Sequence, residues 1–158
     1  MADAGGGGAR TGATCPSSTC SPGHLLLGIV RPDGTVAALR QPITVDAEFA
    51  ERAAAPGRRP AESRFRFAGP CIGAACRQWE DERCSLGDAL AQAGRESGAA
   101  DTGAPLPPCA IRPTCRWWLQ GGPAACHVCT RVVHTAAPPE AGQGAGSGHP
   151  ARRPRPDL

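Results

Sequence analysis

His24-Leu-Leu-Leu-Gly-Ile-Val30-Arg-Pro-Asp-Gly34-Thr-Val-Ala-Ala-Leu39 is the stretch on which the fold turns. Two runs of Leu, Ile and Val, side chains that favour extended chain, flank Arg31-Pro32-Asp33-Gly34, and Pro-Asp-Gly presets a reverse turn. The spacing predicts a β-hairpin with strands His24–Val30 and Thr35–Leu39. Downstream, Phe49, Ala50, Ala53 and Ala54 recur with helical period between Asp46 and Ala55, while Glu48, Glu51 and Arg52 point away. Asp46 stands where it can cap this short amphipathic helix, and Pro56 where it can stop it. Arg64-Phe65-Arg66-Phe67 then alternates, which puts both Phe on one face and both Arg on the other. It is predicted as a third strand that joins the hairpin and covers the helix.

Upstream of the hairpin, residues 1–14 are Gly-rich without apolar periodicity and are expected to be disordered. Cys15-Pro-Ser-Ser-Thr-Cys20 follows, and Ser21-Pro22-Gly23 turns the chain into the first strand. Residues 15–69 thus read as a hairpin, helix and strand scaffold carrying Cys15 and Cys20.

The rest of the chain is organised by cysteine. Pro70-Cys71-x4-Cys76-Arg77-x-Trp79-x4-Cys84 and Pro108-Cys109-x5-Cys115-Arg116-x-Trp118-x7-Cys126 repeat six positions in the same order, a diverged internal repeat. The first copy defines a module at 70–93 that ends in a helical stripe of Leu86, Ala89, Leu90 and Ala93. Gly, Ala and Pro make 94–107 a linker, and 108–135 is the second module. Residues 136–158, rich in Pro, Gly and Arg, are expected to be a disordered tail in which Arg152, Arg153 and Arg155 form a solvated charge cluster. The fold class expected is small α+β: a β-hairpin, short helix and third strand, then two irregular Cys-rich metal-binding modules, with disordered tails at both ends.

Composition explains why metal is needed. With 21 Gly, 17 Pro and only 4% aromatic residues, the chain has little with which to build a large apolar core. Small domains of that kind are held by disulfides or metals. Met1 to Gly8 lacks the basic start and apolar run of a secretion signal, and no long apolar segment follows, so a cytoplasmic protein without a membrane span is expected. Thiols stay reduced there, and 9 Cys is an odd number, so the clusters read as metal ligands or redox groups.

The net charge of +3 comes wholly from Arg; Lys, Asn and Tyr are absent. GC-rich bacterial coding accounts for that pattern, which makes the Arg excess a weak argument for nucleic acid. The missing Lys also excludes a phosphate loop ending in Lys and Schiff-base catalysis. Cys126-His-Val-Cys129 is followed by Thr130, so it is not a haem attachment signature, and Gly121-Gly122-Pro123 argues against a thioredoxin-like setting. No nucleophile elbow or His-Glu-x-x-His occurs. No catalytic residue is assigned.

Cys109, Cys115, Cys126 and Cys129 form a complete quartet that is expected to close by itself, with the x2 bite of Cys126 and Cys129 chelating one centre. The first module offers Cys71, Cys76 and Cys84 and must borrow a fourth ligand from Cys15, Cys20 or His24. Cys20 is favoured because the turn that follows can aim it. Trp79 and Trp118, three residues after the middle cysteine of each copy, are expected to lid the centres. Arg77 and Arg116 directly follow ligand cysteines, and Arg83, Arg112 and Arg131 lie near others. Four thiolates on zinc or on an oxidised four-iron cluster carry roughly two net negative charges, which guanidinium groups would stabilise. His127 is read as solvated or outside the ligand set.

Structural zinc favours paired short bites, whereas gaps of x4, x5, x7 and x10 suit the wider and more variable iron-sulfur centres. Two iron-sulfur clusters of the 4Fe-4S kind are therefore favoured over zinc. The function expected is a non-catalytic electron-transfer or redox-responsive accessory to a larger enzyme, its protein partner. The alternative is a zinc-stabilised module that binds protein or nucleic acid through the hairpin edge, the Arg residues and the Trp faces.

Overall fold

The computed structural model describes residues 12–133, a small α+β fold. Strands β1 (Thr14–Ser18), β2 (Leu25–Val30), β3 (Val36–Thr44) and β4 (Phe65–Pro70) form an antiparallel sheet in the order β1-β4-β2-β3. The predicted hairpin is β2–β3. Its turn closes through Gly34 N–H to Arg31 O (3.0 Å) and Arg31 N–H to Thr35 O (2.7 Å), while Asp33 Oδ1 accepts from Thr35 N–H and Oγ1. β3 runs past the expected Leu39 to Thr44 and forms one sheet edge.

Helix α1 (Ala47–Ala53) is capped as expected, Asp46 Oδ1 accepting from Phe49 N–H at 2.7 Å. After the single turn α2 (Ala61–Arg64), β4 pairs with β2 on one side and β1 on the other. Strand alternation sorts the sheet into two faces. Leu26 and Phe67 face α1 together with Val45, Ala53 and Ala61. Phe49, Phe65 and Phe67, the chain's three Phe, meet edge to face with centroids 5.8–6.3 Å apart.

The opposite face, with Ala68, Leu25 and Leu27, is covered by α3 (Ser85–Glu96) and α4 (Arg116–Val128), which contribute Leu90, Ala91, Trp117, Ala125 and Val128. Between β4 and α3 lies a minimal hairpin, β5 (Trp79–Glu80) and β6 (Arg83–Cys84).

Four expectations need correction. No strand is expected around Cys15 and 1–14 is expected to be disordered, yet Ala13 is buried and Thr14–Ser18 pairs with β4, so order begins before residue 15. The second module is not irregular, because α4 runs through Gly121-Gly122-Pro123. Gly122 takes φ 60 and ψ −150 there, a conformation closed to L side chains, and lets Pro123 open a second helical segment. The 94–107 linker starts too early, since α3 continues to Glu96. Finally, the buried face of α3 is Gly87, Leu90, Ala91 and Gly94, with Ala89 and Ala93 exposed. The stripe is rotated because α4 approaches so closely that only small residues fit between the helices. Of the expected tails, 1–14 and 136–158, all but residues 12–14 lie outside the described residues. Among the described residues no helix is long and apolar enough to cross a membrane.

Candidate metal centres

In both repeat copies the chain does the same thing between its first two cysteines. After Cys71 and after Cys109 a residue near φ −90 to −102 and ψ 0 to 2, Ile72 or Ile111, opens a short 3-10 turn that ends on Cys76 or Cys115 in extended conformation. Cys76 N–H then bonds Gly73 O (2.8 Å) and Cys115 N–H bonds Arg112 O (3.2 Å). Beyond that point the copies part. Cys115 leads straight into α4, whereas Cys76 leads into β5–β6, and it is Cys84 that caps α3.

The first group is completed by Cys15. β1 pairs Cys15 with Gly69, and Cys71 N–H bonds Ala13 O at 3.0 Å, which brings the strand alongside the first copy. Burial pushes the Cys15 thiol up to about 11; the Ser17 backbone opposes it, and like-charge repulsion from Cys71, Cys84 and Cys76 adds to it. Of the first group, then, β1 brings Cys15 alongside Cys71 through the Gly69 pairing and the Ala13 bond. Backbone N–H groups point at two of the group's sulfurs, Gln78 at Cys76 Sγ and Gly87 at Cys84 Sγ, both at 3.4 Å.

The second group is Cys109, Cys115, Cys126 and Cys129, and all four line one cavity of about 50 Å³. Burial raises Cys115 to about 11, with the Trp118 and Trp117 amides facing its sulfur and Cys109 and Cys126 repelling it. Cys126 and Cys129 are raised first by burial. Arg112 pulls Cys126 down, and Arg66 pulls Cys129 down.

This group does not stand alone, as its sequence suggested. Arg66 reaches it from β4, donating to Cys129 O and Val132 O at 2.5 Å each and lying 5.7 Å from the Trp117 ring centroid. Removal from water lowers the Arg66 pKa, and the groups that offset this are Cys129, Cys115 and Cys109. Arg112 also lines the cavity, and its buried Nε has no hydrogen-bond partner among the described residues. Both guanidinium groups are half-buried beside the thiols and donate to backbone carbonyls, Arg66 to those of Cys129 and Val132 and Arg112 to that of Pro107.

The two groups are joined closely. Thr14 forms a parallel bridge to Cys115, and its Oγ1 lies 2.9 Å from Thr114 Oγ1. Gln120 of α4 holds Cys84 at both backbone groups, accepting from its N–H (3.0 Å) and donating to its C=O (2.7 Å), and also donates to Asp88 Oδ1 (2.7 Å). Arg116 of α4 lies over the Trp79 ring at 5.2 Å.

Other positions singled out by sequence fall elsewhere. Cys20, favoured as the fourth ligand, is not with the first group; its N–H bonds Glu62 Oε1 (2.9 Å), it packs against the α1 face, and burial, Glu62 and Arg64 set its pKa. His24 Nδ1 is held by Thr19 O (2.8 Å) and Ser18 Oγ (3.1 Å). Trp118, expected as a lid, is half-buried against Arg112 (5.8 Å), while its neighbour Trp117 is 2% exposed and walls the cavity. Trp79 pairs with Cys84 across β5–β6 and lies beside the first group. Arg77 is exposed. Arg66, Gln120 and Trp117 were missed; the only available signal was the placement of Arg66 opposite the Phe face of a strand.

Among the described residues, no three His, Cys, Asp or Glu side chains converge tightly enough to hold a single metal ion. The thiols of the second group line a cavity without closing a tetrahedron. No family model, curated protein or solved structure matches the chain.

Proposed function

We infer that the protein is a non-catalytic metalloprotein with two four-thiolate centres, Cys15, Cys71, Cys76 and Cys84 in one and Cys109, Cys115, Cys126 and Cys129 in the other. The observation that carries this reading is the sorting of eight of the nine thiols into two sets of four, with Cys20 alone outside.

Iron-sulfur clusters are the filling best supported. A tetrahedral zinc ion with Zn–S bonds of about 2.3 Å needs sulfurs about 3.8 Å apart, a closure the thiols do not make. Thiols spread around a cavity suit a wider polynuclear centre with internal sulfide. Arg66 and Arg112 are suited to an anionic occupant, and N–H groups aimed at sulfur are a means by which proteins tune such clusters. Arg66, Arg112 and Arg116 are half-buried against Trp117, Trp118 and Trp79, which leaves less of them for a nucleic-acid contact and weighs against the zinc interaction module.

Bound clusters would supply one-electron chemistry; this chain's residues hold them, shield them and set their charge environment. The role that follows is electron transfer or redox response beside a partner enzyme. Anaerobic purification followed by iron and acid-labile sulfide analysis tests it, with about eight of each expected per chain for two four-iron clusters. A colourless, folded sample with stoichiometric zinc and no sulfide rejects it.

A further inference from the structure

One wall of the cavity lined by Cys109, Cys115, Cys126 and Cys129 is built differently from the others. β2 and β3 pair Gly28 with Ala38 and Leu26 with Ile43, so Leu39, Arg40, Gln41 and Pro42 of β3 stand where β2 has Leu27 alone. A bulge of this kind bends its strand and leaves the extra residues unpaired. Leu39 and Pro42 are half-buried and line the cavity, while Arg40 and Gln41 are exposed. Among the described residues β3 is an edge strand, paired with β2 alone, and neither Arg40 nor Gln41 forms an ion pair. Pro42 has no N–H with which to make a ladder bond.

The other walls are tied down. Leu27 and Arg66 stand on the two central strands, and Trp117 and Ala125 of α4 are buried in the core. The turn carrying Ile111 and Arg112 is closed by Thr114 N–H to Ile111 O (3.0 Å), by Cys115 N–H to Arg112 O (3.2 Å) and by the Arg112 side chain to Pro107 O. At roughly 10–15 Å³ of such volume for each water, the cavity of about 50 Å³ has room for about four. Anything larger reaches the sulfurs only when a wall moves, and segments with few fixed contacts are the ones that open locally.

We propose that residues 39–42 are a gate, which swings off the cavity while the pairs on either side of the bulge stay joined. Closed, Leu39 and Pro42 keep bulk water and oxidants from the second set of thiols. Open, the bulge is the route by which small thiol-reactive or thiol-binding species reach them. The gate does not depend on what the thiols bind.

Pulse alkylation of the full chain tests it. The chain is kept reduced and cleared of metal with a chelator, N-ethylmaleimide is added, and labelling is read cysteine by cysteine by mass spectrometry. Cys20, which packs on the opposite face of the sheet, is the internal reference. Cys109 and Cys126 are expected to label more slowly than Cys20. Leu39→Ala speeds both by roughly five- to tenfold, the response to losing a half-buried leucine side chain, and leaves Cys20 unchanged. Ile43→Ala, just beyond the bulge and 57% exposed, moves none of them. A second readout needs no variant. Amide exchange at residues 39–41 and labelling of Cys109 and Cys126 share one opening, so both respond to low urea with the same slope, shallower than that of the Leu26 amide. The gate is overturned if Leu39→Ala leaves the cavity thiols unchanged or speeds Cys20 equally. It is overturned too if Pro108→Ala, on the facing loop, opens the cavity and Leu39→Ala does not. Urea slopes that differ from each other, or that match the slope of Leu26, overturn it as well, since labelling then follows another motion or unfolding of the whole chain. Should Leu39→Ala not fold, the slopes decide by themselves.

Discussion

Gly94→Ala tests whether the α3–α4 seam holds the molecule together. A Cβ at Gly94 would fall 1.8 Å from the Ala124 carbonyl oxygen and 2.5 Å from its carbon. Carbon approaches a carbonyl oxygen to no less than about 3.3 Å, so the helices must part locally by about 1.5 Å. Both clashing groups are backbone-fixed, and no side-chain rotation relieves them. Gaps of even 0.5–1 Å forfeit roughly a quarter to a half of each contact's attraction, and overpacking of this kind costs about 3 kcal/mol at its upper range. Helix propensity returns about 1 kcal/mol, since Ala is better than Gly inside a helix. The net expectation is a loss of about 2 kcal/mol, read as a lower urea midpoint by Trp fluorescence at fixed metal content. The comparison is Ala93→Gly, one residue away on the exposed side, which should lose only the propensity of about 1 kcal/mol. If Gly94→Ala is instead stabilised by about 1 kcal/mol, propensity alone is acting and the close-packing reasoning is wrong.

Three further outcomes are expected. Cys15→Ser should halve the iron and sulfide content of the chain while Cys20→Ser leaves it intact; a loss with Cys20→Ser and none with Cys15→Ser would reverse the ligand partition. Gln120→Ala strands the Cys84 N–H and C=O and an Asp88 contact, for a loss of about 2–3 kcal/mol in urea unfolding, and an unchanged midpoint would dismiss the clamp. Asp88 is held below its ordinary value of 3.8 chiefly by its hydrogen bond from Arg83. A lowered carboxyl contributes stability that is present above pH 3.8 and lost as pH falls below it. Arg83→Ala should therefore raise the Asp88 midpoint in an NMR titration, and a stationary midpoint would refute the pairing.

The parts of the fold legible in the sequence were those specified locally. The hairpin, the Asp46-capped helix and the Phe65/Phe67 strand each carry their own signal: a Pro-Asp-Gly turn, a 3.6-residue period or a strict alternation. β1 carries none, because Cys-Pro-Ser-Ser has no apolar pattern and becomes a strand only by pairing with β4. For the same reason Cys15 lost to Cys20. A turn after Cys20 is visible in the sequence, whereas the register that sets Cys15 opposite Gly69, two residues before Cys71, is a tertiary fact. Trp118 was chosen by matching the repeat copies, but Cys115 feeds directly into a helix and Cys76 does not, so it is Trp117 that turns to the cavity. Gly121-Gly122-Pro123 concealed α4, since it looks like a break and serves as a kink. Arg66 was placed on the correct face, but only the central position of β4, covered on both sides, makes that face an interior one.

Where Cys15 sits along the chain also sets an order of events in time. The second ligand set spans residues 109–129, 21 positions, whereas the first spans 15–84, 70 positions. Closing the longer span costs about 1 kcal/mol more chain entropy. Cys84, moreover, keeps unsatisfied backbone groups until Gln120 has been synthesised and docked. If the two proposed centres form, the one whose cysteines emerge first is thus the last to be finished, since Cys84 waits for Gln120 to be made and docked.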